Sequence, residues 1–382
     1  MNIQLLNKIA AVGLNQLDNS YNVGENIENP DGIMVRSAVM HEMEFAPSLK
    51  AIARAGAGVN NIPIERCSEN GIVVFNTPGA NANGVKELAI CALLLAARDV
   101  VGGIAWANTL TEDVAKQVEK GKSKFGGTEL MGKTLGVIGL GAIGGKIANT
   151  AIHLGMNVIG CDPFLSIEGA WNLNHRVSRA ATYDEVFEKA DYITLHVPAT
   201  KETKNMICTE SIAKMKNGVK IINLSRADLV NAAELKATLA EGKVSAYVTD
   251  FPTEEVINTP GVVAIPHLGA STEESEDNCA VMAARELDDY LKNGNIKNSV
   301  NYPNVEMPRS GTARICVLHQ NVPSILTKIT AAVADEGLNI ENMTNKSKGE
   351  NAYTVLDVSS TPSEDAIARI SAVEGINRVR VI

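Results

Sequence analysis

The stretch Thr134-Leu-Gly-Val-Ile-Gly-Leu-Gly-Ala-Ile-Gly-Gly-Lys146 decides how the chain is read. Leu135 to Ile138 is a short apolar run, the pattern of a buried strand. Gly139, Gly141 and Gly144 then spell G-x-G-x-x-G, and Ile143 to Leu154 carries apolar residues at helical spacing. Each glycine has a mechanical task in a strand–turn–helix unit. Gly139 permits the tight turn, Gly141 lets a pyrophosphate approach the backbone, and Gly144 lets the helix pack closely on the strand. The helix N-terminus offers free N–H groups and a positive dipole end to phosphates. A second apolar run, Asn157 to Cys161, ends at Asp162, eighteen positions after Gly144. That is close to the roughly 20 expected for a carboxylate that hydrogen-bonds a ribose 2′-hydroxyl. Such a carboxylate repels a 2′-phosphate, and Pro163-Phe164-Leu165 brings no cation, so the expected cofactor is NAD rather than NADP.

Composition narrows the classes. A chain of 382 residues is long enough for two or three domains. Its hydrophobic fraction is 45% with a net charge of −9, and its mean hydropathy is zero. An acidic balance argues against general binding to nucleic acid or an anionic membrane, because no basic excess exists to neutralise phosphates. Cys67, Cys91, Cys161, Cys208, Cys279 and Cys316 form no C-x-x-C pair, and most lie in apolar runs. Buried reduced thiols are expected, with neither a disulfide framework nor a zinc site. The first residues lack the apolar core of a signal peptide, and no run reaches the ~18 residues of a membrane span. A cytoplasmic protein is expected.

Working outward from the glycine loop, the pattern is α/β. Gly32–Val35, Leu49–Ala53 and Gly71–Phe75 read as strands that open into polar or Gly-rich loops at Arg36, at Arg54-Ala-Gly and at Asn76. That predicts a small parallel, flavodoxin-like domain over 1–81. Val85 to Asp99 is an apolar helix, expected to be buried between domains. Strands over 190–197, 220–224, 244–249 and 262–265 alternate with helices, so 82–270 is expected to be a Rossmann-type, doubly wound nucleotide domain. Residues 271–303 read as a helix returning to the first domain, and 304–312, with Pro308, as a linker. Residues 313–382 show strand, helix, strand, strand, helix, strand: a βαββαβ, ferredoxin-like unit. Asn321 is a candidate cap for its first helix, and Gly242 for the C-terminus of the helix over 231–241.

Charged side chains follow the strand ends of the nucleotide domain: Arg226, the pair Glu254/Glu255, and His267. In open α/β sheets that is the ligand-binding side. Hydride transfer on a 2-hydroxy or 2-keto acid needs these types. Arg grips a carboxylate bidentately and polarises the carbonyl. His exchanges a proton with the alcohol oxygen near working pH, and a neighbouring carboxylate orients the imidazole.

The runs Asn223-Leu-Ser-Arg-Ala-Asp-Leu-Val-Asn231, Asp250-Phe-Pro-Thr-Glu254 and Pro266-His-Leu-Gly-Ala-Ser-Thr272 resemble the signature set of the D-isomer-specific 2-hydroxyacid dehydrogenases. Val35-Arg-Ser-Ala38, Arg54-Ala-Gly-Ala-Gly-Val-Asn-Asn61, Asn76-Thr-Pro78 and His196-Val-Pro-Ala-Thr-Lys-Glu-Thr203 extend the likeness, and the C-terminal unit resembles a regulatory ACT domain. The resemblance implies NAD-dependent oxidation of 3-phospho-D-glycerate, the entry step of L-serine synthesis, by Arg226, Glu254 and His267. It implies cofactor contacts at Gly139, Gly141, Ala142, Ile143, Gly144, Asp162, Pro198, Leu224, Ser225, Asp250 and the loop His267, Leu268, Gly269 and Ala270. It implies substrate contacts at Arg36, Arg54, Ala55, Gly56, Asn81 and Arg226, with Lys86 a weaker second cation. His319, Asn321 and Asn339 would hold an L-serine effector across two paired modules, which implies a homo-oligomer. Ala227 stands where the family usually has glycine, and Ser324 replaces a common glycine in the effector loop. The shortened run after Tyr247 leaves Glu254 and Glu255 as alternatives for the partner of His267. A glycerate/hydroxypyruvate reductase and an NAD(H)-sensing corepressor are the rival readings.

Overall fold

Two short strands precede the first apolar run. β1 (Asn2–Leu5) and β2 (Asn22–Gly24) join β3 (Gly32–Val35), β4 (Ala51–Arg54) and β5 (Val73–Phe75) in a five-stranded sheet of order β2-β1-β3-β4-β5. All pairings are parallel, and the order is flavodoxin-like. β1 and β2 escape sequence reading because they are short and β1 buries fully only Ile3. Ile33, Val35, Ile52 and Val74 face a core with Leu49, Ile62 and Cys67, while Met34, Ala53, Val73 and Phe75 face the helix Glu273–Asn293. Burial on both faces is why these strands read as unbroken apolar runs. The computed structural model describes all residues, 1–382, and divides into Met1–Ala80 with Glu276–Ile382, and Asn81–Ser275.

The second unit is built on β6 (Thr134–Ile138), β7 (Asn157–Cys161), β8 (Val177–Arg179), β9 (Tyr192–Leu195), β10 (Val219–Asn223), β11 (Val244–Thr249) and β12 (Val262–Ala264). Their order, β12-β11-β10-β9-β6-β7-β8, is parallel throughout and doubly wound. Strand order reverses between β6 and β9, which sets a switch-point crevice at their carboxyl ends. β8 is three residues long and mostly exposed, so no pattern announces it. The apolar helix Ala82–Ala97 buries Ala89, Ala92, Leu93 and Ala96 in one core with Leu135, Val137, Ile147 and Ala148. Its Cys91 is exposed, against the expectation of buried thiols, because it lies on the outer face of that helix. Cys208 is partly exposed; the other four are buried, and all six are free thiols. Gly242 sits at φ +75° two residues past the helix Ala232–Ala240, just after its C-cap Glu241, its N–H bonding Leu239 O, as a C-terminal glycine should. No single helix is long and apolar enough to cross a membrane.

β13 (Ala313–Gln320), β14 (Ile340–Lys348), β15 (Asn351–Val358) and β16 (Ile376–Val381) form an antiparallel sheet of order β14-β15-β13-β16. With the helices Ile325–Asp335 and Glu364–Ser371 this is the split βαβ, ferredoxin-like arrangement. Ile315, Val317, Leu356 and Val358 pack under those helices. The opposite face carries Cys316, Leu318, Tyr353 and Val355, which share a core with Tyr290, Ile296, Tyr302, Val305 and Met307. The segment 304–312 is therefore no free tether. Val305 bridges Ile296, and Met307 is buried. Asn321 does not cap the first helix; Ser324, at φ +65° and with no capping bond, precedes it.

Three arginines fasten this module to the five-stranded domain. Arg314, fully buried, pairs with Asp357 through two bonds of 2.6 and 2.9 Å. Its remaining donors meet the carbonyls of Asn293, Met307 and Pro308. Arg380 donates to Leu291 O at the C-terminus of Glu273–Asn293, where orphan carbonyls and the dipole favour a cation. Arg378 reaches Leu49 O and Asn70 O.

Burial opposes ionisation of Asp357, and the bonds from Arg314 and Ser310 overcome it, holding the carboxyl below its ordinary range. A lowered carboxyl pKa stabilises above the unfolded value and loses that contribution as pH falls through the folded value. Asp357→Ala leaves Arg314 buried without its anion. Urea unfolding at neutral pH should show a loss of about 3–5 kcal/mol, and the variant should lack the wild type's fall in stability below about pH 4.

Candidate active site

The turn after β6 is as crowded as its glycines demand. Gly139 has φ +88°, and a Cβ there would lie 2.4 Å from His196 O. A Cβ on Gly144 would lie 1.9 Å from Gly139 O. A Cβ on Gly141 would meet nothing within 4 Å. Two glycines are thus required by the protein itself, while the third faces open space that a ligand backbone can use. Ile143 is the last residue before the helix Gly144–His153, and Ala142 is exposed at its mouth. Asp162, at the end of β7, accepts Leu140 N–H at 2.8 Å and Phe164 N–H at 2.9 Å, so its carboxylate is fixed facing the glycine loop. Gly141, Ala142 and Asp162 line a cavity of about 560 Å3 with Lys146, Asn149 and Asn172. The sequence reading placed no cation near Asp162. Lys146, one turn into the helix, supplies one, and its position in G-G-K was the available signal.

At the switch point, Pro198 is exposed beyond β9 and its carbonyl accepts the Thr203 hydroxyl. His196 lies just before it. Its Nε2 meets Thr194 Oγ1 at 2.7 Å, its buried Nδ1 has no partner, and burial lowers its pKa to about 3. The imidazole is neutral at any ordinary pH.

Beyond β10 the buried Asn223 shapes the turn. Its Oδ1 accepts Ser225 N–H and its Nδ2 donates to Arg226 O. Leu224 is buried, and Ser225 Oγ donates to Leu195 O on the neighbouring strand. Arg226 has φ −153°, and Ala227 opens the 3-10 turn Ala227–Leu229 without a positive φ, so the missing family glycine costs no strain. Beyond β11, Asp250 is 2% exposed with Oδ1 unpaired. Burial raises its carboxyl pKa, opposed by the charges of His267 and Arg226. A buried acceptor without a donor fits a ligand amide or hydroxyl. Gly269 is buried against Asp250 and Val85, Leu268 is exposed, and Ala270 is half-buried.

Arg226 and His267 are brought together through a residue that sequence reading passed over. The Phe251 ring lies 4.4 Å from the His267 ring, and the Arg226 guanidinium carbon lies 5.5 Å from its centroid. Glu254 forms no ion pair with His267; both side chains are exposed. Glu255 instead lines a separate cavity with Asn205, Asp228 and Thr253.

In the first unit, Arg36 and Arg54 end adjacent parallel strands. Asn7 Oδ1 accepts the N–H groups of Arg36, Ser37 and Ala38, and Arg54 Nε donates to Arg36 O. Gly56 has φ +152°, and Arg54 lies across it so closely that a Cβ would fall 2.1 Å from Nη1. Ala55 is buried. Burial lowers the Arg54 pKa. Glu276, unforeseen from sequence, pairs with Arg36 at 2.6 Å. Asn81 precedes the helix Ala82–Ala97 without a side-chain capping bond, and Lys86 pairs weakly with Glu87 at 3.4 Å.

The three effector candidates are not assembled by one chain. His319 is buried, bonded to Gln320 O and Thr354 Oγ1, with its pKa lowered by burial. Asn321 bonds Gly349 O beside Asn351, whereas Asn339 bonds Glu341 and Ser359 at the far end of β15. The seven steps along the strand from residue 351 to residue 358 separate them by about 23 Å.

Residues 94–269 match the NAD binding domain of the D-isomer specific 2-hydroxyacid dehydrogenases. The D-3-phosphoglycerate dehydrogenase of Haemophilus influenzae is 31% identical over 367 residues, covering 92% of this chain and 86% of that protein. The chain belongs to the D-isomer-specific 2-hydroxyacid dehydrogenases. The enzyme of the same name from Methanocaldococcus jannaschii is 36% identical over 82% of this chain. This chain spans 59% of its length, and between 52% and 59% of the length of the first three curated relatives. The crystal structure of NAD+-bound 3-phosphoglycerate dehydrogenase from Entamoeba histolytica superposes with a TM-score of 0.60 at 30% identity, covering 79% of this chain and 98% of that one.

The glycines separate folding from binding. Gly144→Ala should lower the melting temperature by several degrees, because a methyl group meets backbone at 1.9 Å. Gly141→Val should melt as the wild type does yet weaken NADH binding at least about tenfold in a fluorescence titration, because its side chain fills only ligand space.

Proposed function

We propose that this chain is an NAD-dependent D-3-phosphoglycerate dehydrogenase that oxidises 3-phospho-D-glycerate to 3-phosphohydroxypyruvate, the first step toward L-serine. The observation that carries the reading is the meeting of Arg226 and His267 on Phe251, at strand ends that flank a glycine turn with room for a dinucleotide. Relatives bearing that enzyme's name support the choice of substrate.

Gly139 to Gly144 and Lys146 would hold the pyrophosphate, Asp162 the ribose hydroxyls, and Asp250 the amide end of the cofactor. When bound, NAD+ supplies the hydride acceptor. Arg226 binds the substrate carboxylate and keeps the neighbouring C–O bond polarised. His267 takes the hydroxyl proton on an imidazole nitrogen, and Glu254, on the loop between β11 and β12, orients the ring as it becomes charged. A phosphorylated substrate needs a further cation. Arg36 and Arg54 are the candidates, with Glu276 as the anion that Arg36 exchanges for phosphate.

The C-terminal module extends the proposal. Asn321 and Asn339 lie at opposite ends of its sheet, so a site using both needs two copies of the chain, and we assign the module to homo-oligomer formation with L-serine as effector. A cytoplasmic location is part of the same reading.

Purified protein should form NADH from 3-phosphoglycerate and NAD+; tight NADH binding without turnover would refute the reading. His267→Ala should lower kcat by about two to four orders of magnitude with NADH affinity retained. Turnover should fall on adding L-serine at millimolar levels, and Asn339→Ala should abolish that response.

A further inference from the structure

Arg226 and His267 follow different strands, yet no polar bond ties them to each other. The Arg226 guanidinium donates to Ser225 O, its own neighbour, at 2.6 Å, and His267 is exposed. The side chain common to both is Phe251. Its backbone is held by Phe251 N–H donating to Thr249 Oγ1 at 3.0 Å, directly after the buried Asp250. Its ring is tilted 47° to the imidazole, with centroids 4.4 Å apart. The Arg226 cation lies within the roughly 6 Å at which an aromatic quadrupole attracts it. The ring also borders a cavity of about 240 Å3 lined by Ala227, Asp228, Tyr247 and Thr253. The ring is half-buried, and the guanidinium and the imidazole are among its contacts.

We propose that Phe251 is a positioning residue for the reaction: one ring holds the substrate-binding guanidinium and the proton-carrying imidazole in register. This rests on the roles given above to Arg226 and His267. The arrangement suits a site whose carboxylate grip and proton carrier must act on adjacent carbons of one small molecule. A flat ring contacts both without donating or accepting a proton itself. The charges of His267 and Arg226 both act on the buried carboxylate of Asp250, the residue before Phe251.

Phe251→Leu keeps the apolar bulk and removes the quadrupole, and Phe251→Tyr keeps the ring. Phe251→Met serves as a second ringless variant should the leucine form fail to fold. In protein labelled with 13C-histidine, with the His267 signal assigned by its loss in His267→Asn, that signal should move in the ringless variant, because it loses an aromatic ring 4.4 Å away. Phe251→Tyr should leave the signal near its wild-type position. For 3-phosphoglycerate oxidation, the ringless variant should lose about 10- to 100-fold in kcat/KM, chiefly in kcat. NADH affinity and melting temperature should stay unchanged, and Phe251→Tyr should restore the rate to within a few-fold. An unmoved His267 signal together with an unchanged kcat/KM in the ringless variant overturns the proposal. The signal needs no turnover, so it still reads the ring contact if 3-phosphoglycerate proves not to be the substrate.

Discussion

A carbonyl oxygen and an α-carbon set the geometry of the nucleotide unit. Gly139 O and Gly144 approach so closely that a single methyl group at position 144 would lie 1.9 Å from the oxygen. That contact drops the helix Gly144–His153 onto the end of β6 and aims its free N–H groups along the sheet. Gly139, at φ +88°, turns the chain against the carbonyl of His196, which follows β9, the strand across the switch point. The tight turn and the close placement of the helix depend on these contacts, in which no side chain could substitute.

Around this frame the polar groups are arranged by neighbours distant in sequence. Asn223 spends its amide on the turn that presents Arg226, and Asn7 does the same for Arg36. His196 is kept neutral by burial, so the switch point carries an unpaired nitrogen and no charge. Asp250 is buried with one oxygen unpaired. Unpaired buried atoms cost free energy in the empty protein. They are tolerated where a ligand completes them, and both lie at the carboxyl ends of strands that flank the crevice.

The C-terminal module is joined to the flavodoxin-like domain by a continuous core rather than by a hinge. Tyr353, Cys316 and Leu318 lie in the same cluster as Tyr290 and Tyr302. Arg314, Arg378 and Arg380 direct their donors at backbone carbonyls that would otherwise be left without partners. A ligand acting on this module therefore acts on a body that includes Arg36 and Arg54, with no flexible tether between to absorb the change.

The amino-acid sequence by itself determined the elements and their chemistry. Apolar runs marked β3 to β7, because strands buried on both faces have little polar alternation, and the alternation of strands with helices marked β9 to β12. The three glycines marked the nucleotide turn, because their tasks are local. The βαββαβ pattern marked the last seventy residues. Local signals failed for β1, β2 and β8, which are short and held by pairing rather than by pattern. They failed also for Phe251 and Glu276, ordinary residue types whose importance is only proximity. Tertiary structure alone decided that Glu276 meets Arg36, that Phe251 lies between Arg226 and His267, and that the segment 304–312 is packed rather than free. Each of these is a contact between residues whose separation in sequence says nothing of their distance in space, and only packing of the whole unit brings them within reach.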